Sequence, residues 1–136
     1  MKKKNFTTFT IYLTFAIVSL LTFTQCDNSK AVEKALQERA KLDNKEYPIF
    51  LDAFTRIDSS TVAEGKIYQY NYAIMEVDPK IIEDFKAKTI PEIKGNIKKN
   101  PFYQSFREND VTVRFIYRDT LGVEVFRCDV TPEDYR

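Results

Sequence analysis

The spacing of hydrophobic positions changes several times along this chain of 136 residues, and each change marks an element. Ile11 to Phe23 is an apolar run broken only by Thr14, Ser19 and Thr22, preceded by the basic start Lys2-Lys3-Lys4. Asp27 to Asp43 is rich in helix formers, with Lys34 and Glu38 four apart and a thin stripe of Val32, Ala35 and Leu36. That pattern predicts a short helix that serves partly as a stalk. Asn44 to Pro48 breaks it. Ile49 to Asp58 then alternates, with Leu51, Ala53, Thr55 and Ile57 on one side and Phe54, Arg56 and Asp58 on the other, which predicts a strand. Ser59 to Gly65 is polar and reads as a connection. Lys66 to Val77 places Tyr68, Tyr70, Tyr72 and Ile74 on one face and is the strongest strand signal in the chain.

Asp78-Pro79 combines an N-cap residue with proline at the first helical position. Ile81, Ile82, Phe85, Ile90, Ile93 and Ile97 follow at helical spacing, and Pro91 is expected to kink or divide that helix. Asn100-Pro101 repeats the cap-and-proline signal for a short turn carrying Phe102 and Phe106. Val111 to Arg118 and Val123 to Val130 are strands flanking the turn Asp119-Thr120-Leu121-Gly122. A turn centred on Thr120 and Leu121 pairs Tyr117 with Glu124, Phe115 with Phe126, Val113 with Cys128 and Val111 with Val130. Val111, Val113, Phe115, Tyr117, Phe126, Cys128 and Val130 then share a core face, because a one-residue slip would bury arginines. The opposite face carries Arg114, Arg118 and Arg127, with Arg114 directly across from Arg127. The order α-β-β-α-β-β predicts an α+β domain: a single antiparallel sheet of about four strands with helices on one face.

The basic start, the apolar run and the abrupt polar boundary at Asp27 describe an export signal rather than part of a fold. Phe23-Thr24-Gln25-Cys26 resembles the lipobox of bacterial lipoproteins, with Gln25 and Phe23 where that pattern has a small and an aliphatic residue. The resemblance implies that residues 1–25 are removed and that Cys26 is acylated. Residues 26–43 would then form the anchor and N-terminal helix, and residues 44–136 the α+β domain. The protein would be exported to the bacterial cell envelope and held on a membrane by its lipid. The alternatives are a soluble periplasmic product or an uncleaved anchor, for which Phe6 to Phe23, 18 residues with six Thr and Ser, makes a poor span.

Loss of residues 1–25 removes three of the 21 bases and none of the 20 acids, leaving a mature net charge of −2. Neither that charge nor an exported location suits a nucleic-acid binder. There is no histidine, so nucleophile pairs built on histidine and histidine-ligated metals are excluded. With Cys26 acylated, Cys128 is the one remaining thiol and closes no intramolecular disulfide. The three glycines form no phosphate-cradling loop. No cofactor or metal site is expected, and any enzyme would run on carboxylates, Lys, Arg or Tyr alone.

Cys128 beside Phe126 and Val130 reads as a small buried hydrophobe, and the tyrosine stripe as sheet face packed under the following helix. Arg114, Arg118 and Arg127 are the candidate binding face, for an anionic polymer or an envelope protein. Asn44 to Pro48, Thr55-Arg56-Ile57-Asp58, Tyr68-x-Tyr70 and Val111-x-Val-x-Phe115-x-Tyr117-x-Asp119-x-x-Gly122 together resemble a group of small uncharacterised bacterial envelope proteins. That resemblance covers Asn44 to Val130 and implies fold and compartment but no activity. The leading expectation is a membrane-anchored envelope lipoprotein whose domain binds rather than catalyses. A carboxylate-based envelope hydrolase and a structural subunit of a membrane complex are the alternatives.

Overall fold

Asp43 and Asn44 end the first helix at the point where the sheet begins, and their side chains set how the two meet. In the computed structural model, which describes residues 25–75 and 78–136, helix α1 runs Gln25–Asp43. Residues 1–24 of the expected signal segment and the side chain of Cys26 lie outside the described residues. Residues 32–136 cluster as one unit. They contain strands β1 (Ile49–Phe50), β2 (Thr55–Ala63) and β3 (Ile67–Ile74), then helix α2 (Pro79–Lys99) and a 3-10 turn at Pro101–Tyr103. Helix α3 (Gln104–Glu108), strands β4 (Thr112–Arg118) and β5 (Glu124–Val130) and the single helical turn α4 (Pro132–Tyr135) complete the unit.

The α+β class holds, but the sheet has five strands in the order β1-β2-β3-β4-β5 and is not all antiparallel. Strands β3 and β4 run parallel, because α2 and α3 carry the chain back across the sheet before β4 starts. The predicted strand over 49–58 is two strands. Asp52 Oδ1 accepts from the N–H groups of Phe54 and Thr55, both at 2.7 Å, a local turn that alternation of apolar residues cannot reveal. The polar stretch from Ser59 is strand, not connection. A bulge between Ile57 and Ser59 advances the alternation by one, so Ile57 and Ser60 both face the core.

Ser60 is buried, and its backbone edge is closed by a side chain. Ser60 N–H donates to Asn44 Oδ1 (2.7 Å) and Asn44 Nδ2 donates to Ser60 C=O (2.9 Å). Asn44 thus replaces a third residue pair where β1, which reaches only Ile57 and Arg56, has run out. Tyr68 Oη donates to Asp43 Oδ2 (2.6 Å) and shares a hydrogen bond with Ser60 Oγ (3.1 Å). Glu33, earlier on α1, accepts from Gly65 N–H (3.0 Å) in the β2–β3 turn, where Gly65 and Lys66 have positive φ.

The core consists of rows of side chains across the sheet. Ile57, Tyr72, Tyr117 and Phe126 form one row, and Tyr72–Tyr117 and Tyr117–Phe126 stack at 4.7 and 4.3 Å. Ser60, Tyr70, Phe115 and Cys128 form the next, and Val62, Tyr68, Val113 and Val130 the third. Leu36, Ala40, Ile82, Ile97 and Phe106 from the helices cover them. Asp78 caps α2 as expected, accepting from Lys80 N–H at 2.8 Å. Pro91 does not divide that helix, because Ala87 and Pro91 are both exposed and water can take the carbonyl left unpaired. Arg107 Nη1 donates to the carbonyls of Ile97 and Asn100 and closes its far end.

The β4–β5 hairpin keeps its two predicted faces but shifts register by two residues. Val113 pairs with Val130, Phe115 with Cys128 and Tyr117 with Phe126, and a bulge after Tyr117 absorbs the difference before the turn. An even shift leaves every side chain on its own face. Asn44→Ala is expected to cost about 1–3 kcal/mol, since it strands both backbone groups of a buried residue. Urea unfolding with an unchanged midpoint would show that water replaces the amide.

Candidate functional site

The face of the sheet away from the helices also comes in rows. One contains Thr61, Gln69, Arg114 and Asp129, and the next Ser59, Asn71, Ile116 and Arg127. The third contains Arg56, Ala73, Arg118 and Glu124. The two-residue register shift therefore places Arg114 opposite Asp129, not opposite Arg127 as the sequence predicts. Arg114 donates from Nε and Nη2 to the two Asp129 oxygens, each at 2.8 Å, and the pair is only part-exposed. Arg127 makes a similar fork to Glu124, at 3.2 and 2.9 Å, in a more exposed position. Arg118 donates to Asn71 Oδ1 (3.0 Å), which also accepts from Gln69 Nε2 (2.9 Å). The three candidate arginines thus share a face without converging: two are held by carboxylates and the third by an amide.

Arg118, Asn71 and Ala73 line a cleft of about 350 Å³, with Arg56 and Asp58 along one wall and Asp119 at the hairpin end. Arg56 and Asp58 form an ion pair, as their shared strand face predicts. Asp119 Oδ1 accepts from Leu121 N–H (2.9 Å) and Val123 N–H (2.8 Å), so it holds the turn together.

A second feature has no counterpart in the sequence reading. Phe54, Ile74, Ile81, Ile82 and Phe85 line an apolar groove of about 240 Å³ between the β1–β2 hairpin and the start of α2. Phe54 is 55% exposed and Ile81 52%, and on the same hairpin Phe50 and Leu51 are 62% and 58% exposed. Phe54 and Ile81 are thus two exposed large apolar side chains on one groove, which makes it a candidate contact surface. The signal that could have found it was Ile81 beside Ile82. Two adjacent isoleucines cannot both face the sheet from one helix.

Acid–base chemistry finds little support among the described residues. Burial pushes the phenols of Tyr68, Tyr70, Tyr72 and Tyr117 and the thiol of Cys128 upward. Hydrogen bonding to Arg127 lowers Glu124, and hydrogen bonding to Lys94 lowers Asp134. Each of these shifts runs away from neutrality, opposite to what a general acid or base needs. No group of three or more acidic or cysteine side chains is placed to hold a metal among the described residues. No helix among them is long and apolar enough to cross a membrane.

Residues 30–126 match the family described as "Domain of unknown function (DUF8479)", and the chain belongs to that family. No curated protein matches it significantly. Among solved structures it is similar to a candidate secreted protein of Pseudomonas aeruginosa, with a TM-score of 0.69 and 12% identity over 80% of this chain and 96% of that one. It is also similar to EpsS, the pilotin of the Vibrio vulnificus type 2 secretion system (TM-score 0.63, 10% identity, 81% and 96% covered). A third is the type II secretion system pilotin AspS of Vibrio cholerae (TM-score 0.54, 18% identity, 81% and 97% covered). At these identities the likeness is one of fold.

The two arginine forks should separate energetically. Arg127→Gln removes an exposed pair and should change stability by ~0–1 kcal/mol. Arg114→Gln leaves part-buried Asp129 without its partner and should cost about 1–2 kcal/mol, recovered in the double variant with Asp129→Asn. Equal losses from the two single variants, read in urea, would mean the face is uniformly solvated.

Proposed function

We propose that this chain is a non-catalytic, lipid-anchored envelope protein that works in the manner of a pilotin, holding a component of a secretion machinery by its apolar side chains. The observation that carries this reading is the groove beside the β1–β2 hairpin, where Phe54 and Ile81 stay exposed although the core nearby is closed. The fold shared with two secretion-system pilotins supports the choice of partner class. The basic and apolar residues before Cys26 support export and anchoring. On this reading residues 1–25 are removed, Cys26 is acylated and residues 26–43 join the anchor to the folded domain. A secretion component that offers an apolar segment would fill the groove and cover Phe54 and Ile81.

Labelling with a palmitate analogue should be present in the native protein and absent in Cys26→Ala. Intact-mass detection of Met1 on the mature protein would overturn the processing. Two or more acyl chains would make the anchoring stable, where a single chain gives only reversible attachment.

The groove is tested by placing a photo-crosslinking residue at position 54 or 81, with exposed Leu121 as the control site. Adducts with an envelope secretion protein are expected at 54 and 81 and not at 121. The double variant Phe54→Glu, Ile81→Glu should keep its fold, since both side chains face solvent, yet recover that partner at least about tenfold less well, because an unpaired charge would be buried at the contact. Adducts equally strong at all three sites would discard the groove as the docking surface.

A further inference from the structure

On the open face of the sheet one row differs from its neighbours. Arg56 on β2 and Arg118 on β4 are both register partners of Ala73 on β3, so an arginine stands on each side of an alanine. Adjacent strands lie about 4.8 Å apart, which puts the two arginine backbones roughly 10 Å from each other. The other two rows fill that central position with Asn71 or Gln69. Here a methyl group leaves the space open, and it forms part of the floor of the cleft of about 350 Å³.

The donors around that space are only partly used. Arg56 is tied to Asp58 through Nε and its guanidinium lies 5.6 Å from the Phe50 ring centre, while its two Nη groups have no hydrogen-bond partner among the described residues. Arg118 gives one Nη1 hydrogen bond to an amide oxygen and has no carboxylate within 4 Å among the described residues. The nearby acids have other duties. Asp58 holds Arg56, Asp119 holds the hairpin turn, and Glu124, the register partner of Arg118, gives both oxygens to Arg127.

We propose that this cleft binds a phosphate group, seated above Ala73 between Arg56 and Arg118. A tetrahedral oxyanion presents acceptor oxygens in both directions, whereas a single carboxylate would be satisfied by one fork. The space exceeds what phosphate alone occupies, so the group is carried on a small polar body, either a phosphorylated solute or a phospholipid headgroup. The cleft lies on the sheet face opposite the apolar groove, and the proposal stands or falls independently of the docking reading.

The intact protein is titrated by calorimetry at low ionic strength with three probes: inorganic phosphate, glycerol 3-phosphate and dihexanoyl phosphatidylglycerol. Saturable binding of phosphate and at least one of the other two is expected. Arg118→Gln and Arg56→Gln should each weaken it about tenfold or more, the loss of one charge-assisted hydrogen bond. Ala73→Leu should abolish binding while both charges remain. Arg114→Gln and Arg127→Gln should change it less than about twofold, since neither lines the cleft and each spends two hydrogen bonds on one carboxylate. Tighter binding of the lipid than of glycerol 3-phosphate assigns the headgroup, and the reverse order assigns a solute. No saturation by any probe, or equal losses from Arg114→Gln and Arg118→Gln, would overturn the proposal.

Discussion

A phenol hydroxyl with no path to water governs how this domain is assembled. Tyr68 is wholly buried at the centre of the sheet, and an unpaired hydroxyl there would cost about 1–3 kcal/mol. Asp43 accepts its hydrogen bond at 2.6 Å, and that fixes the last turn of α1 over β3. Ser60 meets the same oxygen, which requires β2 to carry a small hydroxyl residue in an otherwise apolar row. Burying Ser60 leaves its own backbone groups at an edge that β1 no longer covers, and Asn44, the residue after Asp43, supplies the missing pair. A helix end, two strands and a strand edge are therefore tied to one oxygen. The aromatic rows then close around it by ordinary packing.

The two faces of the sheet meet different physical demands. The helix-covered face is apolar and complete, with Tyr70, Phe115, Tyr117 and Phe126 in ring contact. The open face also keeps apolar residues dry, Ala73 at 6% exposure and Ile116. Ile116 is 3% exposed at a position flanked by Arg114, Arg118, Asn71 and Arg127, and the long stems of arginine can shield apolar surface beside them. Arginines on this face therefore do two things at once, shielding the sheet with their stems and setting its charge pattern with their heads.

Much of this was legible in the chain, and the parts that were not share a cause. The cap at Asp78, the buried valines and Cys128, and the arginine face follow from period and cap chemistry, which are local. The extent of β2 was hidden because Ser59, Ser60 and Thr61 resemble a loop until Asn44, Tyr68 and Asn71 are brought alongside to satisfy them. The hairpin register was displaced because a bulge after Tyr117 cannot be told from a longer turn by alternation alone. The apolar groove was hidden because Asp52 splits what reads as one strand and turns Phe54 outward. The parallel pairing of β3 and β4 was implied by the long helical connection between them, yet it is a property of the chain's path and not of either strand.

Cys128 stands in the middle row of that interior, between Phe115 on β4 and the helices, with its thiol pushed up by burial. Thiol–disulfide exchange proceeds through the thiolate and needs a path for an incoming sulfur. Both are denied here while the sheet is intact. An oxidising compartment would therefore leave this thiol unmodified in the folded domain, and mixed disulfides at Cys128 would form only on molecules whose sheet had opened. The oxidation state of this one sulfur would record whether a given copy had ever come apart.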